Sequence, residues 1–239
     1  DPHDAAHRRC DPDFPNVPAA WPERHLPWHD LPLHCGEPVA VGLALLLFVP
    51  VPFISTLGLE RPHLLGHSWG SALALELYRR RPSIIRSLVL VGAYAGWAGS
   101  LPPDQVAQRL EFALRLAALP PGTFDPASMP GLFSDAMPED QRSQLATIMS
   151  EVRPSGTRTM ARALAEADLR DVLPRIEAPT LLIHGDRDER SSLHIANELR
   201  DAIHGSRLMV MPGLGHECFL EAAETFDAIV RAFLVDVED

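Results

Sequence analysis

A serine between two glycines is the residue whose surroundings point most directly to chemistry. Residues 66–70 read Gly-His-Ser-Trp-Gly, with Ser68 at the centre. Residues 62–65 before it form a short apolar stretch, which is typical of a strand. Residues 71–78 after it carry apolar side chains at helical spacing. A strand, a sharp turn and a helix would present the serine hydroxyl as a nucleophile at the carboxyl edge of a sheet. The pattern predicts a strained backbone at Ser68, and collisions for side chains at positions 66 and 70.

Two further motifs could supply the groups that activate such a serine. A serine hydroxyl is a weak nucleophile and needs a base within hydrogen-bond reach. His216 lies in a glycine-rich loop that follows the apolar residues 209–211. The apolar residues 179–183 lead into a turn with two carboxylates, Asp186 and Asp188. The first aspartate of such a turn commonly caps the loop, which favours the second as the functional carboxylate.

From residue 57 to residue 234 the chain resembles the α/β-hydrolase fold, of the single-domain esterase, lactonase and haloperoxidase-like type. The resemblance implies a triad in the chain order serine, acid, histidine. Ser68 would attack an acyl carbonyl, and His216 would take the serine proton and return it to the leaving group. Asp188 would orient the imidazole and stabilise the imidazolium. The backbone N–H of Trp69 would point to the developing oxyanion.

This mechanism requires no metal and no organic cofactor, and its partner is a small-molecule substrate. A His-Gly-Asp run at residues 184–186 could suggest a metal site, but no second cluster with ligand spacing accompanies it. The formal net charge of −11 disfavours a nucleic acid or an anionic membrane as a partner. Three cysteines without framework spacing favour reduced thiols and a cytoplasmic setting.

The elements around these motifs alternate in type. Residues 87–92, 179–183 and 207–211 are apolar and predict buried strands, whereas residues 191–203 and 219–234 predict amphipathic helices. This alternation predicts an α/β fold, with a mostly parallel sheet and helices on both faces. The length of 239 residues suits one such domain.

Between about residues 94 and 174 the pattern is helical only, with candidates near residues 103–118, 138–152 and 155–170. The resemblance implies that this insertion is a helical cap over the site. An apolar cap favours a modest-sized, largely apolar ester, lactone or acyl substrate. The side chains proposed to line the pocket are His67, Trp97, Phe112, Phe133, Met137 and Leu214. Apolar side chains at helical spacing could instead pack the cap on the core. For His67 the competing explanation is local packing.

Residues 1–56 form an atypical N-terminal segment, distinct from the hydrolase-like core at residues 57–239. The resemblance implies a His-Gly oxyanion loop and an Asp-x-Arg-Gly-x-Gly-x-Ser stretch in this region, and neither is present. Ten of the 23 prolines lie here, and proline disrupts helices and central strands. The hypotheses for this segment are that it is divergent, truncated or translated in the wrong frame. Its apolar run, residues 39–49, is shorter than the ~20 residues that span a bilayer.

Three alternatives to an ester, lactone or acyl hydrolase follow. The same triad could serve a cofactor-free perhydrolase of the haloperoxidase-like type, or a carbon–carbon bond hydrolase. The third alternative is a catalytically impaired protein, because losing one oxyanion donor typically lowers kcat by ~10²–10³.

Overall fold

The computed structural model describes most of the chain beyond its N-terminal segment. The described residues are 54–120, 123, 129, 131–135, 137–150 and 153–238. The predictions for the atypical N-terminal segment, including its apolar run, lie almost wholly outside these ranges.

Within the described residues, four parallel strands form one sheet in the order β1-β2-β3-β4. The strands are β1 (His63–His67), β2 (Ser87–Val91), β3 (Thr180–Gly185) and β4 (Arg207–Met211). Each pairs in parallel with the next strand along the chain. The predicted α/β fold with a parallel sheet is confirmed, and each apolar segment lies within two residues of its predicted position.

Helices connect and flank these strands. They are α1 (Trp69–Arg80), α2 (Trp97–Ser100), α3 (Pro103–Leu116), α4 (Glu139–Ser150), α5 (Pro154–Glu166), α6 (Leu193–Ala202), α7 (Cys218–Glu221) and α8 (Ala223–Asp236), with 3₁₀ turns at Pro82–Ile84 and Leu173–Arg175. The helix predicted at residues 219–234 is two helices, because Ala222 leaves the helical region at φ −144° and ψ 62°. Helix α5 ends before residue 170, because Ala167 is extended and the N–H of Leu169 donates to the Ala95 carbonyl at 2.8 Å.

Alternating side chains of the central strands fill two cores, as the two-residue period of a strand requires. Leu88, Leu90 and Leu182 pack on one face in a cluster that includes α1 and α6. Val89 and Ile183 pack on the other face in a cluster that includes α8. Helices therefore cover both faces of the sheet, as predicted.

The insertion, defined as residues 94–174, leaves the sheet after β2 and returns to it before β3. Its helices α3 and α5 pack on each other. Buried Ala161 and Leu164 of α5 join the core cluster that includes α1. Among the helices described, none is long and apolar enough to cross a bilayer.

Candidate active site

Ser68 occupies the turn between β1 and α1 in a strained backbone conformation. Its φ of 51° and ψ of −111° lie where side-chain-bearing residues are rare, at a cost of roughly 1–3 kcal/mol. Its N–H donates to the Val91 carbonyl of β2 at 2.8 Å, and its carbonyl accepts from the N–H of Ser71 at 3.0 Å. The Ser71 hydroxyl donates to the same carbonyl. The predicted strain is present, and the neighbouring strand and helix hold it.

The two glycines of the motif differ in what they avoid. A Cβ at Gly66 would collide with the backbone of Gly70 and lie 2.8 Å from the nitrogen of Ser71, so the prediction is confirmed there. A Cβ at Gly70 would meet no described atom within 4 Å, so the predicted collision is wrong at that position. Position 66 faces the first turn of α1, whereas position 70 faces no atom of the described residues within 4 Å.

The structure brings together the three side chains that the sequence singled out. The Ser68 hydroxyl lies 2.8 Å from His216 Nε2, and His216 Nδ1 lies 2.8 Å from Asp188 Oδ2. A carboxylate can only accept, so Nδ1 carries the proton and Nε2 accepts from the serine. The relative exposure of His216 is 2% and that of Asp188 is 5%, so these contacts are shielded from water.

The Asp188 carboxylate is fixed from two sides. Its Oδ1 accepts from the N–H groups of Arg190 and Ser191, each at 2.8 Å. Burial alone would raise the pKa of this carboxyl, but the hydrogen bond and charge of His216 and the two N–H donors outweigh it and lower the pKa. The competing carboxylate, Asp186, is exposed and accepts from the N–H of Gly213 at 2.6 Å.

Helix α1 begins at Trp69, so its N–H is one of the donors that have no partner within the helix. This residue directly follows Ser68 in the chain. The oxyanion role of this N–H stays a prediction from the motif.

A glycine that the sequence did not single out, Gly92, lies against the imidazole of His216. Gly92 follows β2 with φ +52°, and a Cβ there would lie 2.9 Å from Cε1 of His216 and 3.0 Å from its Nδ1. Beside it, His184 Nε2 accepts from the N–H of Ala93 at 3.1 Å, and Ser191 donates its hydroxyl to the Ala93 carbonyl at 2.6 Å. Burial lowers the pKa of His184 to about 4, so it is a neutral core histidine.

The insertion contributes Arg109 and Tyr94, which sequence reasoning also missed. Arg109 Nη2 donates to the Arg190 carbonyl at 2.7 Å, and its guanidinium lies 5.8 Å from the centre of the Tyr94 ring. The Tyr94 side chain is buried, and this burial raises the pKa of its phenol. The tyrosine follows a buried strand closely, which is the one local signal that could have pointed to it.

A second polar link joins the insertion to the loop that carries His216. The Glu221 carboxylate accepts from the N–H of Gly215 at 3.0 Å and from the N–H of Ser134 at 3.2 Å, and it also accepts from the Ser134 hydroxyl. The N–H of Glu217 donates to the Leu132 carbonyl at 3.2 Å. The contacts with Ser134 and Leu132 join residues distant in sequence and have no local signature.

The six proposed pocket residues occupy different environments. Trp97 and Met137 are buried, and Trp97 belongs to the core cluster that includes α1. Leu214 is half-buried and packs on the cluster that includes α8. Phe133 is half-buried beneath the Arg142 guanidinium, 4.9 Å from its ring centre. The remaining two, also half-buried, are His67 and Phe112.

Comparisons with known proteins agree with this architecture. The sequence profile of the alpha/beta hydrolase fold matches residues 52–223. The pimeloyl-(acyl-carrier protein) methyl ester esterase of Neisseria meningitidis is 28% identical over 244 residues, covering 95% of this chain and 72% of that protein. A putative carbamate hydrolase, RutD of Stutzerimonas stutzeri, is 27% identical over 197 residues, covering 77% and 69%. An esterase structure from Exiguobacterium antarcticum superposes with a TM-score of 0.71 at 25% identity, covering 85% of this chain and 76% of that one. The chain therefore belongs to the α/β-hydrolase fold family and is a hydrolase of that fold.

Proposed function

We propose that the chain is a serine hydrolase that cleaves a small, largely apolar ester, lactone or related acyl substrate through an acyl-enzyme. The observation that carries the proposal is the relay of two 2.8 Å contacts, from Ser68 to His216 and from His216 to Asp188. A neutral imidazole with its proton on Nδ1 has its lone pair on the nitrogen that faces the serine, as a general base requires.

The reaction proceeds in two halves. Ser68 Oγ forms a bond to the carbonyl carbon while its proton moves to His216 Nε2, and the N–H of Trp69 donates to the carbonyl oxygen as it gains negative charge. The carbon–heteroatom bond then breaks, and the histidine returns the proton to the leaving group. Water, activated by the same histidine, releases the acid and restores Ser68. The depressed pKa of Asp188 keeps a carboxylate beside the imidazolium throughout.

Two lines support an acyl substrate. The names of two relatives, a methyl ester esterase and a putative carbamate hydrolase, both denote cleavage at a carbonyl bonded to a heteroatom. The proposed pocket side chains are mainly apolar, which suits an apolar acyl or alcohol group.

The test is hydrolysis of p-nitrophenyl butyrate by the wild-type chain, Ser68→Ala and the matched control Ser83→Ala, whose serine is exposed on the 3₁₀ turn after α1. We expect Ser68→Ala to lower kcat by at least ~10³-fold and to abolish labelling by a fluorophosphonate, with the control unchanged. Turnover that accelerates only with added hydrogen peroxide would favour the perhydrolase instead. A folded wild-type chain with neither turnover nor labelling would overturn the proposal in favour of an impaired protein.

A further inference from the structure

His67 is the last residue of β1 and directly precedes the nucleophile, yet its side chain contacts the histidine of the site. Its Nε2 lies 3.1 Å from the backbone carbonyl oxygen of His216. Its ring lies between two others, with centroids 4.8 Å from the His216 imidazole and 4.8 Å from the Phe219 ring. One residue therefore joins the strand that carries the serine to the loop that carries the base.

The protonation of His67 is defined by its surroundings. A carbonyl only accepts, so Nε2 carries the proton and donates it. Burial, and then the nearby charge of His216, lower the pKa of His67 to about 3, so the ring is neutral at working pH. Glu217 Oε2 lies 3.8 Å from the same nitrogen, beyond hydrogen-bond distance. The donor is thus directed to the backbone of the base.

We propose that His67 is a positioning residue that sets the distance between the nucleophile and its base. This inference rests on the proposed function. Ser68 and His216 are 148 residues apart in sequence, and the 2.8 Å contact between them depends on how their loops are held. His67 is covalently bonded to the first and hydrogen-bonded to the backbone of the second. Proton transfer demands near-exact placement of the two heavy atoms, and a displacement of about 1 Å can cost ~10²-fold in rate.

The neutral state of His67 also serves the reaction. The imidazole of His216 gains a positive charge when it accepts the serine proton. A cation in the adjacent ring would oppose that charge, whereas a neutral ring does not. The short, buried approach of the two rings is compatible with catalysis because only one of them becomes charged.

Two amide variants separate the hydrogen bond from the packing of the ring. Glutamine places an N–H donor near the position of Nε2, whereas asparagine is one methylene shorter and cannot reach the His216 carbonyl. Both remove the ring. We expect His67→Gln to retain kcat for p-nitrophenyl butyrate within about threefold, and His67→Asn to lower kcat by about tenfold to a hundredfold, with KM within about twofold in each. Fluorophosphonate labelling of Ser68 should slow in parallel with kcat.

A third variant, His67→Phe, keeps a ring and removes the donor. The proposal expects its kcat to fall at least as far as that of the asparagine variant, whereas a packing role predicts near-normal activity. Phe219→Leu removes the neighbouring ring but keeps the donor, and kcat should stay within about threefold. If phenylalanine is not accommodated, which thermal unfolding would show, the two amide variants still decide the matter.

The outcomes separate this inference from the proposed function. A wild-type chain whose turnover does not depend on Ser68 would overturn the proposed function and this inference with it. Wild-type turnover that depends on Ser68, combined with equal losses in the glutamine and asparagine variants, would overturn only the positioning role of His67. A phenylalanine variant more active than the glutamine variant would do the same.

Discussion

The loops at the strand ends and the insertion differ in how they are built. Around Ser68, Asp188 and His216, hydrogen bonds of 2.8 Å link three loops to one another and to the sheet. The described part of the insertion reaches those loops chiefly through polar contacts of Arg109 with Arg190 and of Ser134 with Glu221. Apolar packing also anchors it, because α5, Trp97 and Leu169 contribute buried side chains to the core cluster that includes α1.

This contrast assigns different tasks to the two regions. Hydrogen bonds with defined directions hold reacting atoms to a fraction of an ångström, which the chemistry demands. Apolar packing tolerates side chains of different shape at similar volume, which allows a pocket to vary without disturbing the reaction. Changes in the loops should therefore affect kcat, whereas changes in the insertion should affect stability or substrate preference.

The largest effect on kcat is expected from a substitution of Asp188, the carboxylate proposed to orient His216. Asp188→Asn keeps the shape but presents an amide to the imidazole, which favours the wrong tautomer and removes the charge that stabilises the imidazolium. We expect kcat for p-nitrophenyl butyrate to fall by about 10⁴-fold. The matched control is Asp186→Asn, which keeps the oxygen that accepts from Gly213. Equal losses in both variants would contradict the assignment of Asp188.

The next largest effect is expected at Gly92, which lies against the imidazole of His216. In Gly92→Ala the new methyl group would lie 2.9 Å from Cε1 of His216, so the imidazole must move. We expect kcat to fall by about 10²-fold. Gly205→Ala is the control, because it shares a positive φ, +75°, and its Cβ meets nothing within 4 Å. Should the control lose as much kcat, backbone strain rather than the contact with the base would be the cause.

Much of this architecture could be predicted from local sequence. The strands are short apolar runs, and the turn at Ser68 has a pentapeptide pattern that few other structures require. The family resemblance and a turn preference both favour Asp188 over Asp186 as the functional carboxylate. In the structure Asp186 accepts from the N–H of Gly213, whereas Asp188 contacts the imidazole of His216.

What could not be predicted depends on contacts between distant segments. Gly92 is small because His216 lies above it, and nothing near residue 92 in the sequence reveals this. Glu221 accepts from Ser134 across 87 residues, and a carboxylate in a helix usually indicates an exposed face. The division of the predicted helix at Ala222 could not be predicted either, because the apolar pattern of the sequence continues through this residue unchanged.

A substitution at Glu221 tests whether its contacts hold the insertion, the loop of His216 or both. Glu221→Ala leaves the N–H groups of Gly215 and Ser134 without their charged acceptor. We expect the free energy of unfolding to fall by about 3 kcal/mol, and kcat by roughly tenfold because the loop of His216 loosens. Urea denaturation and steady-state kinetics measure the two effects. Glu224→Ala, on the exposed start of α8, is the control. A loss of stability with kcat unchanged would mean that this contact holds the insertion only.

A pH-dependent effect is expected from Glu217. Burial raises the pKa of its carboxyl to about 7, so the native chain binds this proton more tightly than the unfolded chain. The wild-type chain therefore loses stability as pH rises from about 4.5 to 7. Glu217→Gln cannot ionise at this position and does not lose that stability. We expect this variant to gain about 2 kcal/mol of unfolding free energy at pH 8 and none at pH 4. Glu224→Gln should show no such difference, and a gain independent of pH would contradict the cause.

The smallest effect should come from the pocket side of the insertion. Phe133 is half-buried, and its backbone packs against Gly215, so it could act on substrate or on the loop of His216. If its ring contacts substrate, Phe133→Leu should change the ratio of kcat/KM for p-nitrophenyl octanoate to that for the acetate by about threefold to tenfold. Labelling of Ser68 by a small fluorophosphonate should keep its rate. Leu119→Ala, at an exposed site after α3, is the control. Slower labelling with an unchanged ratio would instead place Phe133 with the loops that hold the reacting atoms, and the division between the two regions would then pass through the insertion.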